Sequence, residues 1–449
     1  MMRVLEFIVA LVIVAVVAVV VGVVMPGSGH VERSLVVGKD MRQVYDVLNN
    51  FRRFPEYTVQ REYDRNVKFD FGGKAYGPGA ELSWSSTDDK VGNGKLTIAS
   101  ADPTFDKVDA QAKKATIVWN LDNDWRGNDK HFTLDLERQG SRGQLTKVTW
   151  SYDVDYGFNL INRYSNLYIH GDPDAFIQFT VNNLQNVLAS VQNVDYTKLI
   201  PYIEQTQPTP VLLVSTSIER KGGLEALNDA TDKAIGQIQA AAKKLGVTTT
   251  GPRIIYTTNY GDQTYTFDVA MPISATSLNV GGQTVELAAA KSPDLSTAPA
   301  EASTSANAAA SGDNTPGGHD RFGRLIVDND VRAFLAFGGP ALKAVWNGTA
   351  AGVPQTRDLL KAYSQTHGYK FDEVVNRFYD IEAKPEVKQG DDVKQYAEYD
   401  VYLPLSWAPD QTPEQEAGIK PPSLDDNSDQ APASSGSAAA PASAASAGK

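Results

Sequence analysis

The side chains able to bind a metal or move a proton are few and scattered. The five histidines are His30, His131, His170, His319 and His367, and no two share the i, i+4 spacing that places imidazoles on one helical face. They are expected as solvated or capping residues, with His367 in the last turn of a helix, where an imidazolium is favoured. Acid pairs stand at Asp122/Asp124, Asp153/Asp155 and Asp391/Asp392. Paired carboxylates can cleave a glycoside or hold calcium, but these are read as turn and surface acids because the ligand spacing of a calcium loop is missing. No serine sits in a Gly-x-Ser-x-Gly elbow, and no glycine-rich phosphate loop follows a strand. The chain has no cysteine, which excludes disulfides, thiolate ligands and a lipidated N-terminal cysteine. No catalytic residue, metal or cofactor is assigned.

Aromatic side chains say more. Trp84, Trp119, Phe132, Trp150 and Tyr152 fall on alternating segments, where inward positions of a curved sheet would line an apolar cavity. Toward the C-terminus, alternation puts Tyr399, Val401 and Leu403 on one face and Glu398, Asp400 and Tyr402 on the other. Acids beside tyrosines on the second face could hold a cation by charge and by the ring quadrupole.

The elements that must position these residues begin with an anchor. Residues 7–25 are an uninterrupted apolar run, closed by Pro26-Gly27, and match the ~20 residues that cross hydrocarbon as a helix. The run is too long for a typical signal h-region and lacks a small-x-small cleavage site, so it is read as an uncleaved transmembrane helix. The remaining chain is soluble in character, with a mean hydropathy of -0.31 over the whole sequence. A net charge of -12 with no Lys/Arg stripe argues against nucleic-acid binding. The body is placed on the periplasmic or outer side of a bacterial cell membrane, because long domains translocate largely regardless of charge and the Ala/Ser/Pro tail suits an envelope protein.

Three stretches lack hydrophobic periodicity: 197–210, a connector with three prolines; 288–318, rich in Ala, Ser, Thr and Gly; and the Ala/Ser/Pro-rich tail 408–449. The last two are expected to be disordered. They leave bodies at 29–195 and 209–406. The first opens with a strand over 30–37 and a helix whose Asp40 and Gln43 fit a capping box. Alternating strands over 81–84, 94–98, 114–121, 132–136 and 146–154 follow. A helix over 173–191 closes it, with Ile177, Val181, Leu184, Leu188 and Val191 on one face. The fold class is α+β.

His30-Val-Glu-Arg-Ser-Leu-Val-Val37, Phe51-Arg-Arg-Phe-Pro55, Glu81-Leu-Ser-Trp84, Gly92-Asn-Gly-Lys-Leu-Thr-Ile98 and Val148-Thr-Trp-Ser-Tyr152 with Arg163-Tyr164 resemble the START-like polyketide-cyclase/dehydrase (SRPBCC) family. That resemblance implies a helix-grip fold with a deep apolar cavity, shared by lipid carriers, ligand receptors and some enzymes.

The second body repeats a pattern, Phe267-Asp-Val-Ala-Met-Pro-Ile273 and Tyr399-Asp-Val-Tyr-Leu-Pro-Leu405. Each copy follows a strand (211–218, 331–337), helical sequence (224–245, 341–367) and a second strand (253–257, 373–380), with Gly246 and Gly368 at helix C-caps. This tandem β-α-β-β unit, with Gly251-Pro-Arg-Ile-Ile-Tyr256 and Gly339-Pro340, resembles the gyrase-inhibitor-like effector-binding domain. The resemblance implies two sheet halves facing across a cleft for amphipathic or cationic compounds, which Tyr256 and Tyr379 would line together with Glu398, Asp400 and Tyr402. No helix-turn-helix accompanies it. The sequence therefore reads as a single-pass membrane protein binding small hydrophobic or cationic amphipathic molecules in two modules. Its rivals are a cyclase- or hydrolase-type enzyme using a cavity acid such as Glu81, and a structural or stress-related envelope protein.

Overall fold

In the computed structural model, which describes residues 2–109, 111–141, 143–197, 199, 201–292, 315–390 and 392–409, the apolar run forms helix α1 (Met2–Val24). Residues 4–24 are long and apolar enough to cross a membrane and are almost entirely exposed. Asp391, most of the 288–318 segment and nearly all of the tail lie outside the described residues; the near end of that segment bridges Leu335 through Ala289. Pro26-Gly27 ends the helix, and β1 (Ser28–Val37) starts at once.

Alternating inward side chains build the first sheet: β2 (Lys68–Gly73), β3 (Ala80–Ser85), β4 (Asn93–Asp102), β5 (Lys114–Asn123), β6 (Asn128–Gln139) and β7 (Leu145–Asp155). Its order is β1-β7-β6-β5-β4-β3-β2, antiparallel throughout. On β5, Ala115, Ile117, Trp119 and Leu121 point inward at period two. Asp153 lies within β7 rather than in a turn and pairs with His30 at 2.6 Å.

Five helices accompany the sheet: α2 (Met41–Leu48), α3 (Phe54–Tyr57), α4 (Gln60–Tyr63), α5 (Leu160–Tyr164) and α6 (Asp172–Ala189). Asp40 caps α2 through the Arg42 N–H, but Gln43 does not complete a capping box. Gln43 is buried, and its amide donates to the Gln192 carbonyl at 2.6 Å instead. Helix α6 lays Phe176, Ile177, Thr180, Val181, Leu184 and Leu188 against the sheet, and Arg33 of β1 clamps Asp174 near its start with bonds of 2.7 and 2.5 Å. A long helix gripped by a curved antiparallel sheet is a helix-grip arrangement.

A second sheet follows from β8 (Tyr202–Thr206), β9 (Thr209–Glu219), α7 (Gly223–Leu245), β10 (Ile254–Tyr260) and β11 (Thr264–Pro272). A hairpin of β12 (Ser277–Val280) and β13 (Gln283–Glu286) comes next, then β14 (Leu325–Ile326), β15 (Val331–Ala336), β16 (Gly339–Asn347) and α8 (Val353–Thr366). The chain continues through β17 (Lys370–Phe371), β18 (Tyr379–Lys384), a hairpin of β19 (Val387–Gln389) and β20 (Asp392–Gln395), and β21 (Glu398–Trp407). The order β14-β15-β9-β11-β10-β18-β21-β16-β8 places equivalent strands on either side of the β10–β18 pair.

Three expectations are corrected here. Residues 341–347 belong to β16 and not to a helix: Leu342 and Ala344 pack under α8 while Ala341 is buried on the opposite face. With buried alanine and leucine side chains on adjacent positions, the strand shows no clean period-two signature. The 197–210 stretch is more than a connector, because β8 pairs with β16 just as β15 pairs with β9. Each half lends a lead-in strand to the other, and where these cross, a Cβ on Gly338 would stand 2.3 Å from the Pro208 ring. Finally, the strand expected over 373–380 begins only at Tyr379.

The two sheets meet through α2 and α8. Asp46 is fully buried, and its carboxylate accepts from Arg42 Nε at 2.8 Å, Tyr76 Oη at 2.5 Å and Tyr196 Oη at 2.8 Å. Tyr196 Oη also contacts Thr366 Oγ1 at 2.8 Å, and Asn50 Nδ2 donates to the Thr366 carbonyl at 3.1 Å. His367 stacks on Tyr363 and Tyr76, with ring centroids 3.8 and 5.2 Å apart. It is therefore not the solvated imidazolium expected at a helix end. Burial lowers its pKa to about 4, against the opposing pull of Asp46 and of its bond to the Tyr363 carbonyl, with Arg42 and Arg52 lowering it further.

A histidine kept neutral by folding makes the unfolded state the better proton acceptor between pH 4 and 6.5, so stability falls as pH drops through that window. The shift corresponds to about 3 kcal/mol. Buried Asp380, pushed up to about 6, acts in the opposite sense. The test is therefore the difference between wild type and His367→Gln in urea unfolding at pH 7 and pH 4. Wild type should lose about 3 kcal/mol relative to the variant; a difference that does not change with pH would show that the imidazole titrates in contact with water.

Candidate functional site

One end of the seven-stranded sheet gathers the walls of an apolar cavity. β5 ends there at Asn123, paired with Gly94 of β4. The β3–β4 turn brings Lys90 and Val91, the β5–β6 turn brings Trp125, and α6 begins at Asp172. The ladder places α1 at this same end, since Asp155 pairs with both Asn128, next after the β5–β6 turn, and Ser28, close behind α1. α2 and the second sheet lie toward the opposite end, beyond Val37.

The cavity has a volume of about 120 Å³. Trp84, Leu96, Leu121 and Phe132 form its sheet wall, Val59, Gln60 and Tyr63 come from the α4 region, and Ala175 and Phe176 from α6. Exposed Lys90 and Asp172 sit at its mouth with Asn123 and Trp125. The Trp84 ring lies on Gly94, where a Cβ would approach it to 2.3 Å, and its Nε1 donates to the Val91 carbonyl at 3.2 Å. Phe132 and Phe176 stack at 5.4 Å, and Trp125 meets Phe176 edge-on at 5.9 Å. Lys130 braces the β5–β6 turn by donating to the carbonyls of Asn123 and Trp125, and partial burial lowers its pKa.

Of the five residues expected to line this cavity, Trp84 and Phe132 do so. The structure places Trp119, Trp150 and Tyr152 behind the wall. Trp119 packs between Phe51 and Trp150 at 5.0 and 5.1 Å, with its Nε1 on the Leu48 carbonyl. Trp150 is fully buried, and its Nε1 has no hydrogen-bond partner among the described residues. Tyr152 packs against Phe132 and Trp125, and burial raises the pKa of its phenol. Sequence reasoning missed Phe176, one position off the apolar stripe of α6, and the α4 contacts, which carry no periodic signal.

In the second sheet, Tyr256, Tyr379 and Tyr402 form a row, with ring centroids 5.5 and 4.8 Å apart. Alternation holds: Tyr399, Val401 and Leu403 pack on the α8 side. The acids proposed for a cation are matched by the chain itself. Asp400 pairs with Lys343 at 2.8 Å and Glu398 with Lys384 at 2.9 Å. Lys343 also lies over the Tyr402 ring at 5.2 Å and reaches Glu204 at 3.1 Å. Asp268, the counterpart of Asp400, is buried and 3.7 Å from Arg324; burial raises its pKa.

An acid that is buried with a raised pKa beside polar partners is what an enzyme reading would seek. Asp380 meets that description with Arg357 at 3.5 Å, yet it lies on the helix-covered side of β18 and lines neither described cavity. Glu81 borders a separate polar groove of about 480 Å³, shared with Arg52 and Trp407, and pairs with Lys95 at 2.8 Å. No group of three metal-ligating side chains occurs among the described residues.

No family model and no curated protein matches the chain. Solved structures similar to part of it include norcoclaurine synthase from Thalictrum flavum in complex with dopamine and hydroxybenzaldehyde, 13% identical over 38% of this chain and 93% of that one, with a TM-score of 0.27. Ara h 8.0201 is 11% identical over 36% of this chain and 99% of that one, TM-score 0.26. The hypothetical protein jhp0584 from Helicobacter pylori is 8% identical over 35% of this chain and 86% of that one, TM-score 0.26. The fold assignment rests on the strand order and helix placement described above.

Trp150 as core and Trp125 as rim predict unequal costs. Trp150→Ala should lose about 3–5 kcal/mol in urea unfolding, and Trp125→Ala about 1 kcal/mol. Equal losses would contradict this division of wall and rim.

Proposed function

We propose that the chain is a single-pass membrane protein whose seven-stranded unit binds one small apolar molecule beside α6. The observation that carries this reading is the cavity itself: aromatic and aliphatic walls, with Gln60, Lys90, Asn123 and Asp172 available to a polar end. At about 120 Å³ it is close to the ~150 Å³ engineered cavity that holds benzene, so it suits a ring-sized guest rather than a whole lipid. Burying ~150 Å² of such a guest at ~25 cal/mol per Å² gives about 4 kcal/mol, or millimolar affinity before polar contacts are added.

We read the second unit as effector-binding-like, supported by its symmetric strand order and its central tyrosine row. A cationic guest would have to displace Lys343 from Asp400, which leaves ring stacking as the contact that row offers. The body is proposed to face the outer side of a bacterial membrane, as the tail composition suggests.

Two experiments test the proposal. After alkaline extraction the full-length chain should stay with membranes; a shortened chain in the soluble fraction would mean that 7–25 is a cleaved signal. Fluorine NMR of fluorinated ring compounds, with the full chain in nanodiscs, should show a bound resonance that Ala175→Trp removes by filling the cavity. Phe176→Ala should admit larger ring systems. A bound signal indifferent to both substitutions would place binding elsewhere.

A further inference from the structure

Between the sheet and α6 lies a segment that breaks the usual rule of burial. Phe158 is 94% exposed, Ile161 66%, Leu167 63% and Tyr168 73%, all within eleven residues of chain. A soluble surface rarely gathers so many large apolar side chains. Arg163 is the one charged residue from Gly157 to Ile169.

The same segment is fastened to α1. Leu160 and Tyr164 cover Gly22, where a Cβ would come within 3.3 and 3.2 Å of them. Arg163 donates to the carbonyls of Val23 and Met25 at 3.0 and 3.3 Å, satisfying acceptors that a helix end leaves open. Tyr164 Oη donates to the Ala18 carbonyl at 2.5 Å. Ala18 lies six residues before Val24, or about 9 Å along the helix. Interfacial helices bury their apolar faces to a depth of ~5–10 Å.

We propose that residues 157–170 are a membrane-docking element, which seats Phe158, Ile161, Leu167 and Tyr168 in the headgroup and upper acyl region of the bilayer that α1 crosses. This rests on the anchor reading above. The occupant is the bilayer because the segment is continuous with the apolar surface of α1, overlaps it by more than one turn, and places an arginine and tyrosines at the level where such residues mark an interface. α6 and the cavity mouth follow directly at Asp172, so docking holds that mouth against the lipid and gives an apolar guest a path that avoids water.

The absence of native cysteine allows single labels to be placed freely. An environment-sensitive fluorophore is attached to Phe158→Cys, Ile161→Cys or Tyr168→Cys of the full chain in phosphatidylglycerol/phosphatidylcholine vesicles, with Val12→Cys and Val374→Cys as references. Shallow nitroxide lipids should remove at least about half the emission at 158, 161 and 168, and leave 374 bright. Quenching at 12 by deep nitroxides without quenching at 158, 161 and 168 would overturn the docking while the anchor stands. No quenching at 12 would remove the anchor, and the docking with it.

Discussion

The buried carboxylate of Asp46 is the constraint on which the arrangement of the two sheets depends. It cannot reach water, so its charge must be met by Arg42 one turn earlier on α2 and by the Tyr76 and Tyr196 phenols. Those partners come from the β2–β3 connection and from the stretch after α6, and Tyr196 extends the network to Thr366 of α8. Burial and the adjacent Asp46 charge both raise the two phenol pKa values, keeping them neutral donors. Satisfying one carboxylate therefore fixes α2 against α8 and closes the chain end of the first unit over the second. The glycine after α8 belongs to the same contact: Gly368 has φ +69 and a Cβ there would press on Arg52 Cβ at 2.6 Å.

This fastening is at one end of the first sheet, and the cavity is at the other. Strand registers place α1 and the β3–β4 and β5–β6 turns together, and Phe176 on Phe132 and Trp125 brings the start of α6 to them. The second unit consequently leaves the cavity mouth clear. Charge is distributed in the same sense: the acids of the second sheet are matched internally by Lys343, Lys384 and Arg324, whereas Lys90 and Asp172 at the mouth are exposed.

Much of this was legible in the sequence where one physical signal acted alone. Period-two alternation marked β3 to β7, the 4,3,4,3 spacing marked α6, and Gly246, in the left-handed conformation, marked the end of α7. Signals failed where two demands met. In the 341–347 run Leu342 and Ala344 face α8 while Ala341 and Lys343 face the tyrosine row, so apolar residues fall on both faces, no period-two signal stands out, and the run reads as helical. β2 shows almost no buried face, with only Phe69 half-buried, and so carries no alternation signal. The aromatic residues were found, but alternation assigns a face and not a depth. It could not separate Trp84 and Phe132, which line the cavity, from Trp119 and Trp150, which back it. Asp46 and His367 were invisible as a pair because 321 positions separate them in the chain.

A ring-sized apolar guest in the cavity walled by Trp84 and rimmed by Trp125, as proposed, would lie in contact with both indoles. Tryptophan emission of the full chain, titrated with bromobenzene in lipid nanodiscs, tests it most directly, since bromine quenches only at contact. The expected result is a saturable quenching component that disappears when Trp84 and Trp125 are both replaced by phenylalanine. Quenching that rises linearly without saturation, or saturation that survives the double replacement, would contradict it.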